Sequence, residues 1–494
     1  MRCELPGAER CKGSWEGTGW RGERMNIQLL VWSADTIRQI RVAAGNLTGT
    51  GGLLIGNGSV TPKLVRYVIS DHPYDDVGFD CGSHSGDAWL MPDRLEDFDR
   101  FDLPGRTVRP VWITIDIPGD AKPGTYTGKI TILHAGTRDT LSLRLEVLDQ
   151  VLPPPGDWQF RLDLWQNPWV VAEHYGVIPW SEEHLLLLKK HLRPYAEAGG
   201  TYITTYAVYS PWADNSYTLE GTMIEWSRNG DGSWDFDFSV FDTYVRLCNE
   251  VGIDRAITVY TPVPWGHRFR YLDRNTGEYV YETWDPGTTE FEKNWTAFMD
   301  RLKQHLDSLG WFGKTYLGIN ENPLDITLSA IQTIRRHSPL WKITYAGNWH
   351  PELSELVNDY SPIISAGVSK QELEQRSSRG STSTYYVCCH PPKPNNFVFS
   401  PPAEGRFLGW YAAAMGFDGF LRWAYDAWPG DPDRDARHTL WPAGDCYLVY
   451  PGGNSSIRFE KLREGIADFE KIRILREKAA GSGDGKVRTL EAEL

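Results

Sequence analysis

The sequence predicts a multidomain protein, an N-terminal antiparallel β-sandwich followed by a (β/α)8 TIM barrel. Three observations predict it. The chain has 494 residues, too many for one ordinary core. Its first third alternates apolar and polar residues with period two. After a proline-rich stretch, short apolar strands alternate with amphipathic helices.

The sandwich is read from its alternation. In "VWITIDIP", Val111, Ile113, Ile115 and Ile117 share one face, and Trp112, Thr114 and Asp116 the other. Pro123-Gly124 suits a tight turn before "KITIL", which puts Ile130 and Ile132 together. In "LSLRLEV", Leu141, Leu143, Leu145 and Val147 alternate with polar residues. Such strands are half-buried and antiparallel. "VLPPPG" at 151–156 reads as a stiff linker, so the domains are expected at 1–155 and 156–494.

The barrel is read from eight strands: "QFRLDLW" from Gln159, "YITTYAVY" from Tyr202, "RAITVYT" from Arg255 and "KTYLGIN" from Lys314, then "KITYAGN" from Lys342, "SPIISAG" from Ser361, "STYYVCC" from Ser383 and "GFLRWAY" from Gly419. Helices fit the gaps. Ser181 caps one whose first turn holds Glu182 and Glu183, favourable to the helix dipole, and Leu185, Leu188, Leu192 and Tyr195 line its face. Phe241, Tyr244, Val245 and Cys248 repeat that spacing, as do Phe291, Trp295, Phe298 and Leu302, and finally Phe459, Leu462, Ile466 and Phe469. The pattern is weakest for the helices after strands five and six.

Composition excludes several functions. The net charge is -14 with no long basic run, against nucleic-acid binding. The longest apolar runs, such as "LLLL" at 185–188, are far too short to span a membrane. Met1–Arg24 has no apolar leader segment, which is expected of a cytoplasmic protein or of an exported one whose leader has been removed. The seven cysteines show no zinc spacing, and no cofactor is implied. Cys388 and Cys389 read as buried free thiols in an apolar strand; Cys3 and Cys11 could pair in an exported protein. The strong bias is 22 Trp and 23 Tyr, many beside Pro, Gly, Asn or Asp. Rings of that kind cover the C–H face of a pyranose while amides and carboxylates bind its hydroxyls.

Chemistry in such barrels lies at the C-terminal strand ends. Those ends offer Asp163, Trp165, Gln166 and Asn167; Tyr209 and Trp212; Tyr260 and Trp265; Asn320 and Glu321; Asn348 and Trp349; Tyr386; and Trp423, Tyr425 and Asp426. This is an aromatic cup with few acids. His267, His350 and His390 fall in three different loops and read as hydrogen-bonded loop residues. Glycosidic bonds break when an acid protonates the leaving oxygen and the sugar cation is stabilised. Glu321, at the end of strand four, is the natural acid; the alternative is a surface Glu in a plain turn.

Five segments carry a resemblance: "GINENPLD", "TYYVCCHPPKPNNF", "GFLRWAYDAWPGDP", "LWPAGDCYLVYPG" and "SIRFEKLREGIADFEK". They resemble the DUF4091 domain of glycoside hydrolase family 123, whose members are exo-β-N-acetylgalactosaminidases. "PVWITIDIPGDAKPGTYTGKITI" is similar to their N-terminal sandwich, and the resemblance spans roughly residues 25–475. It implies a glycan or glycolipid substrate ending in β-GalNAc, and a retaining, substrate-assisted mechanism. The 2-acetamido oxygen attacks C1, an adjacent Asp holds the acetamido N–H, and the following Glu is acid and then base. By that resemblance Glu321 is the acid/base and position 320 stabilises the acetamido group.

Here position 320 departs from the pattern, being Asn320 where Asp is expected. The favoured expectation is a substitution that inactivates the enzyme and traps bound sugar. The other is a native Asn, as in endo-N-acetylglucosaminidases of another family. Tyr386 resembles the tyrosine that bonds the acetamido oxygen, with Tyr385 as the alternative, since only one can face inward. Trp423 could floor the pocket; Trp165, Asn348, Tyr425 and Asp426 are ring or hydroxyl contacts by strand-end position. Competing functions are a β-N-acetylglucosaminidase, a two-carboxylate retaining glycosidase using Asp426 or Asp163, and a non-catalytic carbohydrate-binding protein.

Overall fold

The computed structural model describes residues 7, 12–71, 88–212, 218 and 220–481, so Cys3 and Cys11 lie outside the described residues. Two sheets face each other at the N-terminal end. One runs Arg24–Ser33, Thr107–Asp116, Val60–Ser70, Trp89–Glu96, with every pair antiparallel. The other runs Ser14–Arg21, Thr137–Val151, Gly124–His134, Ile37–Ala44, Phe101–Leu103. Its edge strand Ser14–Arg21 lies parallel to Thr137–Val151, a local exception to the expected antiparallel pairing. Between the sheets Val111, Ile113, Ile115 and Ile117 meet Ile130, Leu141, Leu143, Leu145 and Val147, the faces given by their alternation.

Trp112 and Thr114 point to the opposite face and are nonetheless buried. That face docks on the C-terminal helix, Ile457–Ala480, where Trp112 clusters with Val65, Leu95 and Ile457. Polar pairs fix the docking. Arg458 Nε lies 3.0 Å from Asp93 Oδ2 with both side chains buried, and Asn26 Nδ2 donates to Glu464 Oε1 at 3.0 Å. A buried pair of this kind costs stability when one partner is removed, so it fixes one domain orientation.

Eight parallel strands form the barrel: Arg161–Leu164, Tyr202–Tyr206, Ala256–Tyr260, Thr315–Ile319, Lys342–Gly347, Asp359–Pro362, Thr382–Tyr386 and Gly419–Arg422. All eight fall in or beside the segments read from sequence. The sixth starts two residues earlier than "SPIISAG", at Asp359. Helices return the chain after most strands, with Ser181 capping Glu182–Glu197 through His184 N. After strand five there is none. Residues 348–358 hold only the short turn Pro351–Leu353, too few residues for a helical crossover.

Strands one and two are not joined by a regular ladder; a single bridge, Leu162 to Gly200, links them. Side chains close the gap. The Tyr195 hydroxyl donates toward Leu162 O at 2.9 Å and lies 3.2 Å from Tyr202 O. Gln166 donates to Leu164 O and accepts from Thr204 N at 2.9 Å. Gly200 is required there, because a Cβ would lie 2.0 Å from the Tyr195 ring. Gln166, expected in the cup, is therefore a buried closing residue.

A small sheet unforeseen in the sequence sits over one side of the barrel mouth. Its strands are Glu225–Arg228 and Trp234–Asp237, after barrel strand two, and Arg268–Asp273 and Glu278–Thr283, after strand three. Trp226 stacks on Phe298 of the helix Thr289–Leu309 at 4.7 Å and anchors it. Among the described residues no helix is long and apolar enough to cross a membrane.

Candidate active site

A cavity opens at the C-terminal strand ends, where the ligand sites of such barrels lie. Trp165, Trp212, Trp265, Asn320, Glu321, Tyr386, Trp423, Trp441 and Asp445 are in its wall. Trp165 and Trp212 stack at 4.9 Å between ring centres, 14° from parallel, and Tyr260 packs behind both. Rigid stacked indoles give a flat apolar wall at little entropic cost.

Strand four delivers the pair that ends "YLGIN". Gly318 lets the Tyr260 ring lie against the strand, since a Cβ there would stand 2.5 Å from it. Asn320 is buried and Glu321 is exposed. Hydrogen bonding assigns the Asn320 amide. Its oxygen accepts from Trp265 Nε1 at 2.8 Å and Trp212 Nε1 at 3.2 Å, and its nitrogen donates to Val263 O at 3.1 Å. Both ends of the amide are used. Glu321 Oε1 accepts from the Tyr386 hydroxyl. Burial, and then the Glu321 charge, push the Tyr386 phenol far above its ordinary value, so it remains a donor.

Tyr386 faces the cavity, whereas Tyr385 points into the helix layer and donates to Leu408 O. Two consecutive strand residues face opposite ways, which resolves the choice of inward tyrosine. Just beyond strand eight Trp423 donates from Nε1 to Asp445 Oδ2 at 3.0 Å, and Arg422 Nη2, on the strand, lies 2.9 Å from Asp445 Oδ1. Arg422 and Asp445 are both 0 % exposed as side chains. The buried ion pair thus fixes the ring of Trp423 in the wall.

Four expectations are corrected by position. Tyr425 is fully buried, and its hydroxyl donates to His191 O at 2.9 Å. Asp426 is buried too; it accepts from Asn167 N at 2.7 Å and pairs with His191 Nε2 at 3.0 Å. Strand eight ends at Arg422, so strand parity stops before both residues. Asn348 is exposed outside the cavity wall, and its carbonyl accepts from the Tyr360 hydroxyl at 2.7 Å. Cys389 is disulfide-bonded rather than free, while Cys388 beside it is a free thiol. Strand seven ends at Tyr386, so both cysteines lie in the loop along the cavity wall.

Asp163 does not line the cavity. It is buried within the barrel, where burial and then the charge of Asp359 push its carboxyl up to about 8. Trp441 and Asp445 were not singled out by sequence reasoning. They come from the long segment after strand eight, and their one sequence signal was the motif "LWPAGDCYLVYPG". Among the described residues no group of three His, Cys, Asp or Glu could hold a metal ion.

Residues 165–475 match the family model "Glycoside hydrolase 123, catalytic domain", and residues 3–134 match "Glycoside hydrolase 123 N-terminal domain". No curated protein matches the chain. Among solved structures, a family 123 glycoside hydrolase from Clostridium perfringens, analysed for glycolipid glycan hydrolysis, aligns with TM-score 0.89 and 26% identity over 98% of this chain and 87% of its own. A Thermotoga petrophila endo-β-1,4-mannanase aligns with TM-score 0.38 and 14% identity, covering 64% of this chain and 78% of its own.

Proposed function

The chain belongs to glycoside hydrolase family 123, and we propose that it releases a terminal β-linked N-acetylhexosamine with retention, N-acetylgalactosamine before N-acetylglucosamine. The observation that carries the reading is the pair at the end of strand four: Glu321, exposed at the cavity and hydrogen-bonded by Tyr386, next to Asn320. The aromatic wall offers a surface for one pyranose ring. The substrate is the end of a glycan or glycolipid, by likeness to the Clostridium enzyme.

In the first step Glu321 gives its proton to the glycosidic oxygen. The substrate's acetamido oxygen forms a bond to C1 as the C1–O bond to the leaving group breaks. In the second, Glu321 takes a proton from water, whose oxygen attacks C1 and reopens the oxazolinium ring. The acetamido group is the nucleophile, so one enzyme carboxylate suffices. The places of Asp163 and Asp426 favour this over a two-carboxylate route, because neither is in the cavity wall.

In this mechanism Asn320 is a working residue rather than the mark of an inactivated enzyme. Its oxygen receives two indole N–H groups, and Trp265 is 41% exposed. On binding, the acetamido N–H takes the place of the Trp265 donor. The test compares aryl β-glycosides of GalNAc, GlcNAc and galactose. The GalNAc compound should be turned over fastest; faster turnover of the galactoside would overturn the assignment, because that sugar lacks the acetamido group.

A further inference from the structure

Beside the cavity, the small sheet presents a face that the single-sugar reading leaves unused. In its outer hairpin Arg270 pairs with Tyr281 and Leu272 with Tyr279, so these four side chains share one face. The opposite face, with Phe269 and Tyr271, packs on Trp284. Tyr209, beyond strand two, extends the first face, its ring 6.4 Å from that of Tyr281.

These rings are held in place. The Arg270 guanidinium lies between Tyr209, at 3.8 Å, and Tyr279, at 4.1 Å, and is itself paired with Glu225 Oε2 at 3.1 Å. Arg268 covers Tyr281 at 4.3 Å. Even so, Tyr279 is 50% exposed and Tyr281 45%. Tyrosines fixed by stacked cations yet half open to solvent are a binding surface formed in advance, which lowers the ordering cost of a ligand. Chain and hydrogen bonding tie this face to the cavity: Trp212 and Trp265, both in the cavity wall, stand three residues after Tyr209 and three before Arg268, and Trp265 N donates to Pro211 O at 3.0 Å.

We propose that Tyr209, Tyr279 and Tyr281 form an aglycone subsite that stacks the sugars on the reducing side of the scissile bond. The occupant is an oligosaccharide: its pyranose faces lie on the tyrosine rings, and the guanidinium edges of Arg268 and Arg270 donate to ring hydroxyls. The chain would then be selective for a terminal N-acetylhexosamine carried on a glycan over the same sugar on a small aglycone. This rests on the exo-N-acetylhexosaminidase reading, and the experiment separates the two.

Turnover is measured on a nitrophenyl β-GalNAc glycoside and on a trisaccharide of β-GalNAc on lactose, for the parent chain, Tyr279→Ala, Tyr281→Ala and Tyr281→Phe. Binding of lactose alone is followed by saturation-transfer NMR. Both alanine variants should lower kcat/KM on the trisaccharide by about tenfold or more, mainly through KM, and leave the nitrophenyl glycoside within about twofold. Tyr281→Phe should keep trisaccharide activity, and lactose contacts should vanish in the alanine variants. Equal losses on both substrates, or an unchanged trisaccharide, would overturn the subsite. If the parent cleaves neither substrate the exo-hexosaminidase reading fails, and the lactose signal and its loss in the alanine variants still decide the surface. Absence of lactose contacts in that case sinks it too.

Discussion

Tyr386, at the end of strand seven, donates its hydroxyl proton to Glu321 at the end of strand four, joining two strand ends across the cavity. A buried phenol that stays protonated orients an exposed carboxylate. An acid that must first protonate and later deprotonate gains from such fixing, because position governs proton transfer before anything else.

Glu321→Gln keeps the size of the side chain and removes its proton. Cleavage of a natural disaccharide should fall by roughly 10²–10⁴, the usual contribution of general acid–base catalysis. Aryl glycosides with good leaving groups should lose less, since they need little protonation, and sugar binding should persist. Steady-state kinetics on both substrate types, with calorimetry for binding, checks this. A variant that turns over the disaccharide like its parent would remove Glu321 from the mechanism.

The buried pair behind Trp423 separates a positioning role from a packing role. Arg422→Ala removes the guanidinium that faces the Asp445 charge where neither side chain reaches solvent, and should cost about 3–5 kcal/mol in urea unfolding. Asp445→Asn takes the counter-ion from buried Arg422 and offers one oxygen where two donors sit, so its unfolding midpoint should fall too, and KM should rise in both variants as the Trp423 ring loses its fixed place. An unchanged KM with stability lost would mean that the pair serves the fold alone.

The barrel was legible because its strands are short runs of β-branched and aromatic residues with polar ends, and its helices carry plain apolar stripes. Where the reading slipped, tertiary contacts had replaced local pattern. Tyr425 and Asp426 looked like further strand-end residues, but the strand stops at Arg422 and the chain turns toward His191. Gln166 stands among the strand-end residues by sequence and instead closes the barrel against Thr204. Trp112 alternated as an outward residue, and no period in the sequence says that a helix more than three hundred residues later covers that face. Trp441 and Asp445 sit in a segment without periodicity, so only their partners on strand eight reveal them.

Asp163 predicts a pH-dependent stability. Its folded value of about 8 lies above the ordinary carboxylate value of about 3.9 expected in the unfolded chain. The folded state therefore binds a proton that the unfolded state has released. The stabilising contribution is fully present below about pH 4 and is lost as pH rises toward 8. Asp163→Asn mimics the protonated form. Its urea midpoint should match the parent near pH 4 and exceed it at pH 8. A constant offset between the two proteins over that range would remove Asp163 as the source.

Asn320 makes the sharpest prediction. Its oxygen sits against two indole donors and its nitrogen against the Val263 carbonyl at 3.1 Å. In Asn320→Asp the first oxygen keeps both donors, while the second meets that carbonyl with no hydrogen to share. The lone-pair contact favours the protonated acid, so the variant should lose stability as pH rises above the ordinary carboxylate value of about 3.9, where the unfolded chain ionises. The same contact works against the charge that would aid catalysis, and kcat should stay within about threefold of the parent or fall. The contrary expectation is equally definite. If Asn320 stands where a catalytic carboxylate has been lost, restoring it should raise kcat by about 10²–10³ with little change in Kd, because the intact substrate carries no charge there. Measuring kcat and Kd for both forms on one β-GalNAc glycoside, beside their unfolding midpoints at pH 5 and pH 8, separates the two. A large gain in kcat with no pH-dependent loss of stability would show that the amide is not the residue this site was built around.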